Sequence, residues 1–446
     1  MAQLLCLLAS SPGPLLWLAD KPPDRQIRDL GHQVLHLGMN DDWPAPKRSY
    51  SWIYLSLPFR GESPLSTLSR LSDYATDGAV LVTGPSEAFR RSTTESAWRR
   101  AHVRSLLIRL GWEPSEDDEE MMRFRWLGNG PRYRVSSASS DDREDCLRLF
   151  ERAFGEAPNP DVWQWKYGEG RGISTIARRE GRLVAHYGGV SRRILFLGVP
   201  ARAVEICDVG VDPAERAVMT KKGAFASVAA AYQINIFGLD DRHLFGYGFP
   251  NHRHVLLGER AGFYAEVESL VELSWECRRR RPSISTTTRP VRIAKKTAAI
   301  TRLWKAMASD LAAAILVVRD VAYLRYRYES HPRFDYRFFL VKRRWGVPLG
   351  LLVLRFEGEL CRLIDVVGPV ASMSQLIRSA RQVAADAGCL RLAMWITSGQ
   401  AHWFQSAETE VQPLDIKIPG NCFVERVPVE TLRNRWWLMM GDTDFL

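Results

Sequence analysis

Apolar residues in this chain come in short runs separated by segments of helical spacing, and that alternation sets the pattern of elements. Leu15-Leu16-Trp17-Leu18-Ala19, Gln33-Val34-Leu35-His36-Leu37, Ser51-Trp52-Ile53-Tyr54-Leu55 and Ala79-Val80-Leu81-Val82-Thr83 read as strands. Apolar runs this short, bounded by polar turns, suit buried strands better than helices. Between the last two lies Ser63-Pro64-Leu65-Ser66-Thr67-Leu68-Ser69-Arg70-Leu71, with a serine cap, a first-turn proline and leucines at helical spacing, which predicts a helix. Strands alternating with helices imply a doubly wound α/β layer over residues 1–130.

The acidic run 116–120 marks a solvated boundary, and a second unit follows over 131–275. Ser140-Asp141-Asp142 opens an amphipathic helix that runs to Phe154. Strands are expected at Thr175–Arg178, Leu183–Val190 and Arg192–Phe196, with a hairpin turn at Glu180-Gly181. Residues 276–298, with Arg278-Arg279-Arg280-Arg281-Pro282 and Lys295-Lys296, read as a basic linker. The last unit, 299–446, repeats the grammar of the second. It has a helix at Arg302–Ala314 and a solvated amphipathic helix at Tyr323–Tyr328. A hairpin at 336–353, a strand at Cys361–Val367, a long helix at Ser372–Ala387 and a strand at Leu390–Ile396 complete it.

Composition narrows the picture. A chain of 446 residues exceeds one ordinary core, and 46% hydrophobic with 25% charged residues is globular composition. The net charge of +10 favours anionic partners. Seven cysteines stand singly, without metal-ligand spacing, which argues against zinc and against a disulfide framework and favours a reducing, cytoplasmic setting; no metal is expected. The apolar start Met1–Leu8 has no basic n-region, and no run of about 18 apolar residues is present to span a bilayer.

Local sequence points to a ligand class only between Asp208 and Tyr264. Asp208-Val209-Gly210-Val211-Asp212-Pro213 reads as a strand end. Arg216 and Lys221-Lys222-Gly223-Ala224 form a basic, glycine-containing turn before a small-residue helix. Such a turn offers backbone N–H groups and the positive end of a helix to a phosphate.

These features, with Val184-Ala185-His186-Tyr187-Gly188-Gly189 and the segment from Gly248-Phe249-Pro250-Asn251 to Gly262-Phe263-Tyr264, resemble the GNAT superfamily of acyl-CoA-dependent N-acyltransferases. The last unit, ending in Trp436-Trp437-Leu438-Met439-Met440-Gly441-Asp442, resembles a second, diverged GNAT-like fold, as in bacterial tandem proteins of polysaccharide or natural-product gene sets. The first unit resembles a methyltransferase Rossmann module, but Asp20-Lys21-Pro22-Pro23 stands where a glycine-rich cofactor turn is expected, which makes the module degenerate. The implied fold is a Rossmann-like module followed by two mixed-sheet GNAT-like units.

The resemblance implies a fourth strand that splays from the fifth, binds a pantetheine arm through its backbone and passes into a pyrophosphate loop. Val209, Val211, Arg216, Lys221, Lys222, Gly223, Ala224 and Asn251 would then hold acetyl-CoA or another acyl-CoA. Asp208 and Glu205 are the candidate bases and Tyr264 the candidate proton donor. The bland readings are preferred for two of these: a helix cap for Asn251 and a packed strand start for the Gly-Phe-Tyr segment. His186, Tyr187 and Trp165 are candidate walls of an acceptor pocket or core residues. The loop departs from the family pattern, since it is longer and holds one glycine where the pattern has two. The expected function is acyl transfer from acyl-CoA to a small-molecule or sugar-like amine. Its rivals are FemAB-like transfer from aminoacyl-tRNA, the one nucleic-acid partner considered, and a non-catalytic biosynthetic scaffold.

Overall fold

The computed structural model describes residues 2–11, 13–38, 41–46, 48–56, 63–84, 93–115, 121–156, 158–216, 222–240, 242–279, 285–344 and 346–443. The acidic run 116–120 and Lys221 lie outside them. The first elements are α1 (Ala2–Ala9), β1 (Leu15–Leu18), α2 (Arg25–Arg28), β2 (Val34–Leu37), β3 (Tyr50–Ser56), α3 (Pro64–Tyr74), β4 (Ala75–Gly84), α4 (Thr93–Arg109), β5 (Trp112–Pro114) and β6 (Met122–Trp126). The strands form a six-stranded sheet in the order β2-β1-β3-β4-β6-β5. The pairs β1–β2, β1–β3 and β3–β4 are parallel, and β6 runs antiparallel to β4 and β5. Parallel strands buried on both faces need continuous apolar runs, and β1 is buried at all four positions.

The chain continues through β7 (Arg134–Ser137), α5 (Arg143–Phe154), α6 (Pro160–Tyr167), β8 (Gly172–Arg179), β9 (Arg182–Phe196), β10 (Val199–Val211), α7 (Ala224–Gln233), β11 (Gly246–Gly248), α8 (His252–Arg260) and β12 (Tyr264–Glu276). One strand, β9, replaces the two expected over 183–196, because nothing between Val190 and Arg192 interrupts the pleat. The Glu180-Gly181 turn forms as expected, with both residues at positive φ.

The remaining elements are β13 (Thr286–Val291), α9 (Thr297–Asp310), β14 (Ile315–Val317), α10 (Val321–Leu324), β15 (Arg337–Arg343), β16 (Pro348–Glu357), β17 (Leu360–Val367), α11 (Met373–Asp386), β18 (Arg391–Thr397), β19 (Glu410–Asn421), α12 (Val429–Leu432) and β20 (Trp436–Trp437). Part of the segment read as a linker is therefore strand: β13 pairs antiparallel with β15 from Thr286–Arg343 to Val291–Phe338. The segment read as a solvated helix at 323–328 is partly buried, with Arg327 2% exposed.

By compactness the chain divides into two units. One comprises residues 1–157, 174–187 and 208–242; the other comprises 158–173, 188–207 and 243–446. Within the first, Asn235 in the first turn of the helical segment Ile234–Leu239 after α7 accepts hydrogen bonds from Ser63 Oγ and Leu65 N, both at 3.0 Å, and so caps α3 from a distance in sequence. The second unit holds a seven-stranded sheet in the order β13-β15-β16-β17-β18-β12-β19. In that sheet β17 and β18 are parallel but pair only from Leu360–Arg391 to Arg362–Ala393. Both strands then run on, β17 to Val367 and β18 to Thr397, without pairing to each other.

Candidate functional site

The geometry starts at β10. Its parallel pairing with β11 covers Val204–Gly246, Glu205–Tyr247 and Ile206–Gly248, and β10 then continues to Val211. Two residues past the last pair, Asp208 has φ of +53°. A non-glycine residue held there carries strain. The fully buried His186 on β9 fixes it: the ring Nδ1 lies 2.7 Å from the Asp208 carbonyl oxygen and donates to it. The two predicted residues His186 and Asp208 are thus brought together through the backbone.

Beyond Val211 the turn is pinned by charge. The Asp212 carboxylate accepts from Ala214 N at 3.1 Å and from Arg152 Nε at 2.9 Å, with Arg182 at 3.1 Å. The buried Glu215 carboxylate accepts from Tyr133 Oη at 2.6 Å and Arg179 Nη1 at 2.8 Å. Tyr133, Arg179 and Arg132 hold Glu215 below the usual carboxylate range, despite its burial. Arg216 donates to the carbonyls of Val211, at 3.0 Å, and Ala153, at 2.6 Å. Residues 217–221, with the predicted Lys221, lie outside the described residues. Lys222 is exposed, and Gly223 is the N-cap of α7 and supplies no side-chain cap. The first intrahelical bond is Ser227 N to Gly223 O at 3.0 Å, so the N–H groups of Ala224, Phe225 and Ala226 have no acceptor within the helix. Tyr187 packs behind this terminus, its ring centroid 4.8 Å from that of Tyr232 and 6.4 Å from that of Phe225.

The other predicted residues have clear local partners. Glu205, 1% exposed, is ion-paired with Arg192, whose Nε lies 2.7 Å and Nη2 2.6 Å from Oε2. Asn251 caps α8, accepting from His254 N at 3.0 Å. Tyr264 packs on Gly258, where a Cβ would meet its ring at 2.0 Å, and its hydroxyl donates to the His254 carbonyl at 3.4 Å. Burial pushes the Tyr264 phenol up to about 12. Trp165 is 6% exposed; its indole donates to the Tyr326 carbonyl at 3.0 Å, and Arg327 lies over the ring at 5.0 Å.

The sequence reading did not single out Tyr247, the partner of Glu205 across the strand pair. Its hydroxyl is buried without a hydrogen-bonding partner among the described residues. Burial and the Glu205 charge hold the phenol protonated. The available signal was its setting, Gly246-Tyr247-Gly248: the second glycine lets β11 approach β10, where an added Cβ would lie 3.0 Å from Ile206 O. Tyr167, with its hydroxyl 3.7 Å from Cys207 Sγ, was also missed. No group of three or more His, Cys, Asp or Glu side chains among the described residues is placed to hold a metal ion.

A strand that outruns its parallel partner, a pinned turn and a helix N-terminus with glycine at its N-cap follow one another here, an order of elements suited to an extended, phosphate-bearing ligand. Residues 134–229, which span β7 to α7, match the family model for the acetyltransferase (GNAT) domain. No curated protein matches the chain in sequence. Among solved structures the fold is similar to that of a probable N-acyltransferase from Enterococcus faecalis, with a TM-score of 0.53 and 12% identity over 66% of this chain and 74% of that one. It is also similar to a GCN5-related N-acetyltransferase from Anabaena variabilis, with a TM-score of 0.51 and 13% identity over 66% and 73% of the two chains. At such identities the likeness is one of fold. Residues 134–229 are thus similar to the GNAT acetyltransferase domain, within a mixed α/β architecture, and among the described residues no helix is long and apolar enough to cross a membrane.

Proposed function

We propose that this protein is an N-acyltransferase that moves an acetyl or other acyl group from acyl-CoA to the amine of a small-molecule or sugar-like acceptor. One observation carries the reading: within the segment that matches the GNAT domain, β10 runs on past its three-residue pairing with β11 and leads through a pinned turn towards the glycine N-cap of α7. The backbone of Asp208–Val211 would hold the pantetheine arm. The N–H groups at Gly223–Ala226, with Lys222 beside them, would hold the pyrophosphate.

In the reaction the amine nitrogen bonds to the thioester carbonyl carbon and the carbon–sulfur bond breaks. The amine gives up a proton and the leaving sulfur takes one. Asp208 is the proposed acceptor of the first proton. Glu205 is less suited, because its carboxylate already neutralises a buried arginine. Tyr264 and Tyr247 are the proposed donors, both kept protonated by burial. The parallel β2-β1-β3-β4 order of the N-terminal sheet supports its reading as a Rossmann-like module, and the prolines after β1 support a structural role for it.

A thermal-shift panel of acetyl-CoA, longer acyl-CoAs, S-adenosylmethionine and tRNA tests the assignment. Stabilisation by the CoA thioesters is expected. Stabilisation by tRNA alone would replace it with aminoacyl transfer, and a response to S-adenosylmethionine would overturn the structural reading of the N-terminal module.

A further inference from the structure

The sheet of the second unit contains its own splay, and it is filled. Past Arg362–Ala393, β17 keeps β16 on one edge as far as Val367, and β18 keeps β12 on one edge as far as Thr397. The chain's own C-terminal segment lies between their facing edges, entering from Trp436–Trp437 (β20), which pairs parallel with β14. Thr397 N donates to Leu438 O at 3.1 Å, Ile396 and Met439 form an isolated antiparallel bridge, and the Thr397 hydroxyl donates to Trp436 O. On the β17 side Gly441 lies so close that a Cβ there would stand 3.2 Å from Ile364 O and 2.0 Å from the Tyr328 hydroxyl.

Charge locks the segment in place. Arg327 Nε donates to Gly441 O at 2.8 Å. Arg319, fully buried, donates from Nε to Asp365 on β17 at 2.9 Å and from Nη2 to Asp442. Trp436, Trp437, Leu438 and Met439 are 0% exposed and Asp442 is 2% exposed. These values belong to a core, not to a mobile end. At the first splay, among the described residues, no strand pairs with the β11-side edge of β10 beyond Ile206.

We propose that Trp436–Thr443 is a built-in occupant of the second wedge, lying along the strand edges where a pantetheine arm would otherwise run. This wedge is therefore closed to acyl-CoA, and the chain takes one such ligand and not two. The count of ligands rests on the acyl-CoA reading above; the closure of the wedge does not.

Hydrogen-exchange mass spectrometry on the full chain tests the closure. Peptides covering 436–443 are expected to exchange as slowly as those from β17 and β18, and exchange at the rate of an exposed loop overturns the inference. Gly441→Val should expel the segment, so that 436–443 loses protection while β1–β4 keep theirs. Unchanged protection of the segment in this variant also overturns it. If the valine variant does not fold, Thr397→Val removes the hydroxyl that bridges to Trp436 and Leu438 and gives the same readout in milder form. Calorimetric titration with acetyl-CoA then counts sites. One per chain is expected and two overturns the inference. No binding at all overturns the acyl-CoA reading, and the exchange result still decides the fate of the tail.

Discussion

Asp208 concentrates the account at the residue scale. Its φ of +53° strains an L-residue, and His186 holds it through the backbone carbonyl, not the carboxylate. Asp208→Gly keeps the conformation and removes only the carboxylate. Its folding stability should stay within about 1 kcal/mol of the parent. Acyl transfer should nonetheless fall by about 10²-fold or more while acyl-CoA affinity holds, which steady-state kinetics and equilibrium binding can separate. The strain was not legible in the sequence, because an aspartate carries no mark of positive φ. Nor was the Glu205–Arg192 pair, although the turn at Leu197-Gly198, with φ of +50° and +81°, folds β9 back onto β10 and sets the two nearly opposite.

His331 gives a pH signature at the same scale. Burial, with Arg327, Arg355, Arg333 and Lys166 around it, holds its imidazole down to about 3, and Nδ1 accepts from Arg333 N at 3.1 Å. The unfolded imidazole titrates near the ordinary 6.5, so between that pH and about 3 the unfolded state binds more protons than the folded one. Stability should therefore fall as pH is lowered through that window. Denaturant midpoints for the parent and His331→Gln at about pH 7 and about pH 4.5 should show a smaller drop in the variant.

At the scale of elements, periodicity and turn chemistry carried far. The first four strands, α3, the Glu180-Gly181 turn, the hairpin β15–β16 and α11 lie where the pattern of apolar positions puts them. Those signals are local, and the failures are not. Thr286–Val291 became a strand because β15 offered it an edge, and Tyr323–Tyr328 became part of a core because Trp165 and the C-terminal segment pack on it. The polar anchor of the second wedge is the sharpest case, with one arginine serving two carboxylates that are 46 and 123 residues away in sequence. Arg319→Met leaves Asp365 and Asp442 buried without a cation and should cost about 3–5 kcal/mol of stability. Adding Asp365→Asn and Asp442→Asn should recover much of that loss in a denaturation series. No recovery would mean that packing, not charge, sets the cost.

For the molecule as a whole, the GNAT-like architecture was legible from a few motifs between Val184 and Tyr264, because glycines, prolines and the basic turn are tied to backbone geometry. The contents of the second wedge were not legible, since a run such as Trp436-Trp437-Leu438-Met439-Met440 says that it is buried without saying against what. The proposed acyl-CoA site at the N-terminus of α7 is put to the test by equilibrium binding of acetyl-CoA to the parent and to Gly223→Asp. Gly223 has an ordinary φ of −74°, and aspartate is a favoured N-cap, so this variant should keep its helix while setting a negative charge against the phosphates. Saturable binding by the parent, weakened at least about tenfold in Gly223→Asp at unchanged stability, is the predicted result. Equal affinity in the two proteins, or no binding by the parent, would contradict it.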